Sequence, residues 1–477
     1  MEHAISAIAS DPDKEHLLSL LGKQRNAFAH HGAPSRQARL SNLLKLKTAI
    51  LALRREYESA ISVDFGNRSF HETAVMEIMP VTQGIDYLRK NLRRWMRPQA
   101  RRVAMQFMPA RAKVVMQPLG VVGIVSPWNY PLALCLTPLA TALAAGNRVM
   151  IKPSELTPKT SSLMTSMLSD IFTEDEVAVV RGGPKIGADF SALPFDHLFF
   201  TGSTSVGKAI MRAASENLVP VTLELGGKSP VVVDAAYSID RVVRSLVYGK
   251  LSNAGQTCVA PDYAFIDEEG IDAFVAAFCA ETQRAYPQGP IDKGFTSVIS
   301  QRHYERLVAL IEDARAKGAK VVQIGSTPDI SRPHTLQPTV IVGATFDMKV
   351  MQEEIFGPVL PIVAYRDLGD VITRINSGGR PLALYVFSDR GEFVDRVLHR
   401  TTSGSAVVND TLLQFVQDDL PFGGVGPSGL GSYHGEEGFK TFSHAKGVFT
   451  QSRFSMAPMM RAPFGSLADR VLNFMLR

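Results

Sequence analysis

Cysteine is scarce in this chain: Cys135, Cys258 and Cys279 are the only three among 477 residues. An odd set without a CxxC spacing excludes a disulfide framework, argues against a zinc site and suits a reducing compartment. Met1 to Asp11 has no basic segment followed by an apolar core, so no secretory leader is expected. The most apolar stretch, Pro131 to Gly146, is too short and too interrupted by Thr and Pro to span a bilayer. No internal repeat and no low-complexity tract is visible. Together these absences point to a cytoplasmic protein with no integral membrane segment.

Charge is present but uneven. The formal net charge is +5, and Arg89, Lys90, Arg93, Arg94, Arg97, Arg101, Arg102, Arg111 and Lys113 crowd one stretch with almost no acids between them. Without interleaved aromatics or a binding motif, nucleic acid is not an expected partner. An anionic cofactor or membrane surface would suit such a run. The simpler reading is a solvated helix face leading into an exposed strand.

The length allows two or three domains. From Asp13 to about Trp95 the apolar spacing is helical, with Leu40, Leu43, Leu44, Ile50 and Leu51 among basic residues and a turn at Asp64 to Asn67. The rhythm then changes. Strand-like runs at 119–125, 148–151, 177–180, 197–200 and 221–225 alternate with helical segments, the pattern of a parallel sheet with helices on both faces. A second series follows Gly226-Gly227, with strands near 229–233, 320–324, 359–363, 383–387 and 405–409 and helices near 240–251, 271–285 and 302–317. The expected fold is α/β, with a boundary at that glycine pair.

Several short segments carry candidate chemistry. Phe199-Phe200-Thr201-Gly202-Ser203-Thr204-Ser205-Val206-Gly207-Lys208 runs from strand through a small-residue turn into a helix. A pyrophosphate could sit on such a helix start, although a plain strand-to-helix turn looks similar. Lys152 and Glu155 lie at the carboxyl end of the second strand, where open parallel sheets bind ligands. They read either as a pair holding ribose hydroxyls or as a surface Lys with a Glu favoured by the helix dipole.

Cys258 sits in Ser252-Asn253-Ala254-Gly255-Gln256-Thr257-Cys258, a polar loop, whereas Cys135 and Cys279 lie in apolar helices as core residues do. A nucleophilic thiolate needs a polar, partly accessible setting, and only Cys258 has one. Glu224, within Thr222-Leu223-Glu224-Leu225-Gly226-Gly227, is out of place as a solvated side chain. It is either a general base with a pKa raised by desolvation or half of a structural ion pair. Asn129, between Pro127-Trp128 and Tyr130-Pro131, is a donor for an oxyanion or a turn residue.

At these residues the sequence resembles the aldehyde dehydrogenase superfamily, from about Ser35 to Gly447. The shared segments are Pro127–Pro131, Lys152–Glu155, Phe200–Gly207, Leu223–Lys228, Gly255–Cys258, Glu353-Glu354-Ile355-Phe356-Gly357-Pro358 and Leu420–Gly426. Gln256 to Tyr263, Pro381 to Tyr385 and Gly431 to Gly435 are similar to the class 3 branch. Ala144 to Met150 looks closest to its coniferyl aldehyde dehydrogenases.

The resemblance implies a Rossmann-like NAD(P)-binding domain over 1–98 and 119–225, a catalytic domain over 226–407, and oligomerisation segments at 99–118 and 408–477 that make a homodimer. It implies Cys258 as nucleophile, Asn129 with the Cys258 N–H as oxyanion donors, and Glu224 as the base that hydrolyses a thioester. Trp128, Lys152, Glu155, Gly202, Ser203, Gly207, Glu354 and Phe356 are the implied cofactor residues. Glu155 suggests NAD, with NADP possible. No metal is implied.

The expected reaction is oxidation of an aldehyde, aromatic such as coniferaldehyde or medium-chain aliphatic, to its acid. The alternatives are a CoA-acylating dehydrogenase, a reductase of activated acids, or a non-catalytic structural protein. Tyr433 and His434 face the substrate channel or serve the structure. Phe464, Leu467, Val471, Leu472 and Met475 recur at helical spacing in a tail that packs on a neighbouring subunit, gates a hydrophobic channel or lies on a membrane.

Overall fold

The alternating apolar runs form three sheets in a computed structural model that describes residues 12–325, 332, 334–455, 461–463 and 465–476. The reading of Met1 to Asp11 and the tail residue Phe464 lie outside the described residues. The first sheet has the order Gly429–Leu430, Val221–Glu224, His197–Thr201, Val121–Val125, Arg148–Lys152, Val177–Val179. Five of its strands are parallel, and Gly429–Leu430 joins the edge antiparallel to Val221–Glu224. His197–Thr201 is buried throughout, as expected of a sheet covered on both faces. Chain order reverses at Val121–Val125, which pairs Arg148–Lys152 on one side and His197–Thr201 on the other. The carboxyl ends around that reversal open a ligand crevice.

The second sheet is parallel apart from one edge, in the order Lys320–Gln323, Thr339–Val342, Val359–Tyr365, Tyr263–Asp267, Pro230–Val233, Ala383–Phe387, Ser405–Val408. Only residues 225–229 separate its first strand in the chain from the last parallel strand of the first sheet. A third, antiparallel sheet joins Gln99–Arg101, Arg111–Pro118 and Ser443–Thr450. Its strands and the end of the Met79–Trp95 helix carry the basic run, exposed except for half-buried Arg89. The solvated-face reading of that run agrees with this placement.

The fold departs from the sequence reading in a few places. Tyr263–Asp267 occupies the centre of the second sheet, yet it is five residues bracketed by Asp262 and Asp267, too short and too flanked by charge to show a period. Thr339–Val342 and the helices Leu368–Ser377 and Gly391–Arg400 were likewise not expected. The helical N-terminal region breaks as foreseen near Asp64, where Gly66 (φ +76°) ends a helix in the left-handed conformation. It also holds a π-helical turn, Ala74–Ile78, a feature often found where a helix is bent to serve a site.

Candidate active site

The loop ahead of Cys258 is built from three consecutive left-handed residues: Asn253 (φ 52°), Ala254 (φ 50°) and Gly255 (φ 72°). Only glycine takes that conformation readily, so the other two need support. Two buried primary amides supply it. The Asn253 side chain donates to Asn129 O (2.9 Å) and Gln256 O (3.1 Å). The Gln256 side chain donates to Asn253 O (2.9 Å) and Ser297 O (3.1 Å) while its Oε1 accepts from Ile299 N (2.9 Å). A Cβ at Gly255 would lie 2.3 Å from Gly357 O, so no other residue fits. Beyond Cys258, the Tyr385 hydroxyl donates to Val259 O.

This loop leaves Cys258 half-buried where two cavities meet, each of about 760 Å³. One is an apolar tunnel lined by Val75, Met76, Met79, Tyr248 and Phe415, with no charged side chain in its wall. The other is polar and holds Asn129, Glu224, Glu354, Phe356, Trp128 and Gly202 around Cys258. It continues through Trp128, Gly202 and Ser203 into a groove that ends at Lys152 and Glu155. Tunnel and cleft thus share one sulfur atom, and the groove reaches it only by way of the cleft.

Burial, then the Glu354 and Glu224 charges, push the Cys258 thiol up to about 12. Glu224 ends the Val221–Glu224 strand with 3% of its surface exposed, and neither carboxylate oxygen has a hydrogen-bond partner. That geometry removes the ion-pair reading. Burial raises the Glu224 carboxyl well above its ordinary range. Burial and the Asp262 charge push Glu354 up to about 8. Its carboxylate rests against Gly226, where a Cβ would lie 2.0 Å from Glu354 Oε2. The Asn129 amide gives one N–H to Gln256 O (3.1 Å) and faces the polar cavity. Thiol, carboxyl and amide therefore stand in one enclosure.

The groove suits an adenine dinucleotide, judged by its donors. Lys152 is buried and donates to Glu155 at 2.8 Å. Burial opposes ionisation of Glu155, but the ammonium outweighs it and holds the carboxyl below its ordinary range. Ser203 caps the Thr204–Ser215 helix by accepting from Val206 N (3.4 Å), which sets the positive end of a helix at the groove. Phe356 is held at φ 53°, a strained position for a bulky residue. There its ring meets Trp128 edge-on at 5.5 Å, with His303 at 5.0 Å on the same indole. Gly207 is buried in the first turn of the Thr204–Ser215 helix. A Cβ there would lie 2.7 Å from Leu225 Cδ2, so it sets how closely helix and strand pack.

Several residues of the site carried no readable signal. Arg68, Glu72 and Glu77 lie in the helical N-terminal region and are spaced without a motif. His303 and Arg306 sit on the Gln301–Ala316 helix, Arg306 donating to Glu354 O (3.1 Å). Tyr433 and His434 are buried in an aromatic cluster with Phe415 and Phe422. Gln256 stood within the quoted loop, and its neighbour Gly255 hinted at a turn needing support. Cys135 is fully buried, as its apolar helix suggested, while Cys279 is half-buried. Among the described residues no three His, Cys, Asp or Glu side chains form a metal cluster, and no helix is long and apolar enough to cross a membrane.

Comparison with known proteins agrees with this geometry. The model of the aldehyde dehydrogenase family matches residues 4–448. The chain belongs to the aldehyde dehydrogenase family. A coniferyl aldehyde dehydrogenase of a Pseudomonas species is 44% identical over 466 residues, covering 97% of this chain and 96% of the relative. The substrate-bound state of Staphylococcus aureus AldH superposes with a TM-score of 0.91 at 34% identity, covering 97% of this chain and 99% of that one. The NAD+ complex of a Bacillus cereus aldehyde dehydrogenase gives 0.83 at 26% identity, covering 92% and 89%. The enzyme is an NAD(P)-dependent aldehyde dehydrogenase.

The resting dehydrogenase thus holds a neutral thiol. In the cofactor-free enzyme, alkylation of Cys258 by iodoacetamide, followed by mass spectrometry, should accelerate about tenfold per pH unit between roughly pH 7 and 10. A rate already level near neutrality would contradict the raised thiol pKa.

Proposed function

We propose that the enzyme oxidises uncharged aromatic aldehydes of the coniferaldehyde type to their acids, with NAD as the preferred acceptor. The reading rests on one observation: Cys258 lies where an uncharged tunnel meets a polar cleft containing Glu224 and Asn129. The tunnel offers aromatic and thioether surface, with hydroxyls only from Tyr130, Tyr248 and Thr257. A planar phenyl ring suits such walls, and an anionic aldehyde would be desolvated without a partner. Relatives named for coniferyl aldehyde support the same class.

The Cys258 thiol gives its proton to solvent water as its sulfur attacks the aldehyde carbon, leaving a tetrahedral oxyanion. The free N–H of Asn129 and the Cys258 N–H stabilise it, each such donor being worth about 3–4 kcal/mol. The dinucleotide, held by Lys152, Glu155, Ser203, Glu354 and Phe356, supplies the hydride acceptor. The thioester left on Cys258 is opened by water, whose proton passes to an ionised Glu224, and the sulfur leaves as the free thiol. Glu224 at the water-accessible cleft favours hydrolysis over transfer to a CoA thiol.

The remaining parts of the proposal follow the fold. Residues 1–98 and 119–225 form the cofactor domain and 226–407 the catalytic domain. The third sheet, with the segments at 99–118 and 408–477, forms a homodimer interface in the cytoplasm. The Ser466–Met475 helix, with only Ala468 buried, packs on the second copy.

The deciding experiment follows reduced-cofactor absorbance with NAD, NADP and a panel of aromatic, aliphatic and anionic aldehydes. Cys258→Ala should abolish turnover and keep NAD binding. Glu224→Gln should keep the first stoichiometric burst and slow later turnovers roughly 100-fold or more. Unchanged steady-state rates in either variant would defeat the mechanism. In Glu155→Gln, loss of the carboxylate that repels a 2′-phosphate should raise the NADP-to-NAD ratio of kcat/KM about tenfold, near 1.4 kcal/mol. An unmoved ratio would remove Glu155 from cofactor choice.

A further inference from the structure

Arg68 is sealed inside the molecule with 1% of its surface exposed. Its Nη1 donates to Glu77 Oε1 (2.8 Å) and to the backbone carbonyl of Asn129 (3.2 Å). The rings of Tyr130 and Phe65 cover the guanidinium at 4.8 and 5.2 Å. Nε lies 3.9 Å from Glu72 Oε2, and neither Nε nor Nη2 makes a hydrogen bond. A buried cation with two unbonded nitrogens is costly, and an apolar residue would fill the same space without that cost. What an apolar residue would not supply is the donor to Asn129 O.

The partners of Arg68 close a circuit around the oxyanion pocket. Glu77 Oε2 accepts from Leu132 N (2.8 Å) and Ala133 N (3.0 Å), fixing the chain just after Asn129. Glu72 accepts from Asn253 N and from the Thr296 hydroxyl, both at 2.6 Å. Asn253 in turn donates to the same Asn129 carbonyl that Arg68 holds. One peptide oxygen is therefore gripped from the N-terminal helices and from the nucleophile loop at once. Asn129 follows the Val121–Val125 strand of the first sheet, whereas Cys258 precedes the Tyr263–Asp267 strand of the second.

We propose that Arg68 is a positioning residue, fixing the Asn129 amide against Cys258 across the seam between the two sheets so that the oxyanion pocket forms. The inference rests on the reading of Asn129 as oxyanion donor. Arg68 touches no substrate atom; it acts through Asn129, aided by Glu72 and Glu77. Its effect therefore belongs to the rate of the first chemical step and not to substrate affinity.

A double-mutant cycle tests this, reading the rate of the NADH burst, KM for an aromatic aldehyde, and Tm. Arg68→Lys, which keeps the charge and loses the fork, should slow the burst about tenfold with KM within about twofold. Asn129→Ala should slow it roughly 10²–10³-fold. The double variant should be no slower than Asn129→Ala within about twofold, since contacting residues that act together are not additive.

A full multiplicative loss in the double variant would overturn the proposal, as would an unchanged burst in Arg68→Lys. An unchanged burst in Asn129→Ala would instead remove the oxyanion reading and this inference with it. If Arg68→Lys does not fold, Glu72→Gln serves in its place, because it keeps an acceptor for Asn253 N–H and drops the charge beside Arg68. It should slow the burst a few-fold in the parent and leave Asn129→Ala unchanged; equal losses in both backgrounds overturn the proposal.

Discussion

The hydrogen bonds of two buried amides, Asn253 and Gln256, hold a backbone that would otherwise not stand. Three successive left-handed residues cost strain that glycine alone does not remove. The two side chains offset it by bonding Asn129 O, Asn253 O, Gln256 O, Ser297 O and Ile299 N, which ties the turn to the segments around Asn129 and Ser297. Everything else at the site is placed relative to the turn so formed. It delivers Cys258 to the meeting point of tunnel and cleft, and it ties that sulfur to the Asn129 segment of the other sheet.

Around this frame the electrostatics are poised and not spent. Burial pushes the Cys258 thiol up to about 12 and raises the Glu224 carboxyl well above its ordinary range. The thiol is then protected from solvent chemistry until ligands change its surroundings. A positively charged nicotinamide ring, bound in the cleft, would favour the thiolate by simple Coulomb attraction. In the proposed mechanism an ionised Glu224 would be needed only afterwards, when water must be deprotonated. The apolar tunnel keeps competing charge away from Cys258, and the Lys152–Glu155 ion pair stands at the far end of the groove.

Much of this was legible from sequence, for reasons that differ by residue. Glu224 stood out because a carboxylate flanked by leucines and glycines violates burial rules, and the fold places it buried without a partner. Cys258 stood out by contrast with two cysteines in apolar helices. The five parallel strands of the first sheet were readable because strands buried on both faces are continuous apolar runs, whereas its two-residue edge strand Gly429–Leu430 was not.

Other parts left no local trace. Tyr263–Asp267, short and bracketed by aspartates, is a strand only because neighbours on both sides pair with it. Arg68, Glu72 and Glu77 matter through contacts with Asn129, Leu132 and Asn253, segments 55 to 181 positions away, and no spacing rule links them. Gly207 illustrates the converse: its place in a glycine-marked turn suggested cofactor contact, whereas its missing side chain accommodates Leu225.

The account stands or falls on a covalent bond to one sulfur. Glu224→Gln protein mixed with NAD and coniferaldehyde, quenched in acid during the burst and digested, can be examined by mass spectrometry for an acyl group. The mechanism predicts a hydroxycinnamoyl thioester on the peptide carrying Cys258, in amount equal to the NADH released. A stoichiometric NADH burst with Cys258 unmodified, or with the acyl group on another residue, would contradict it.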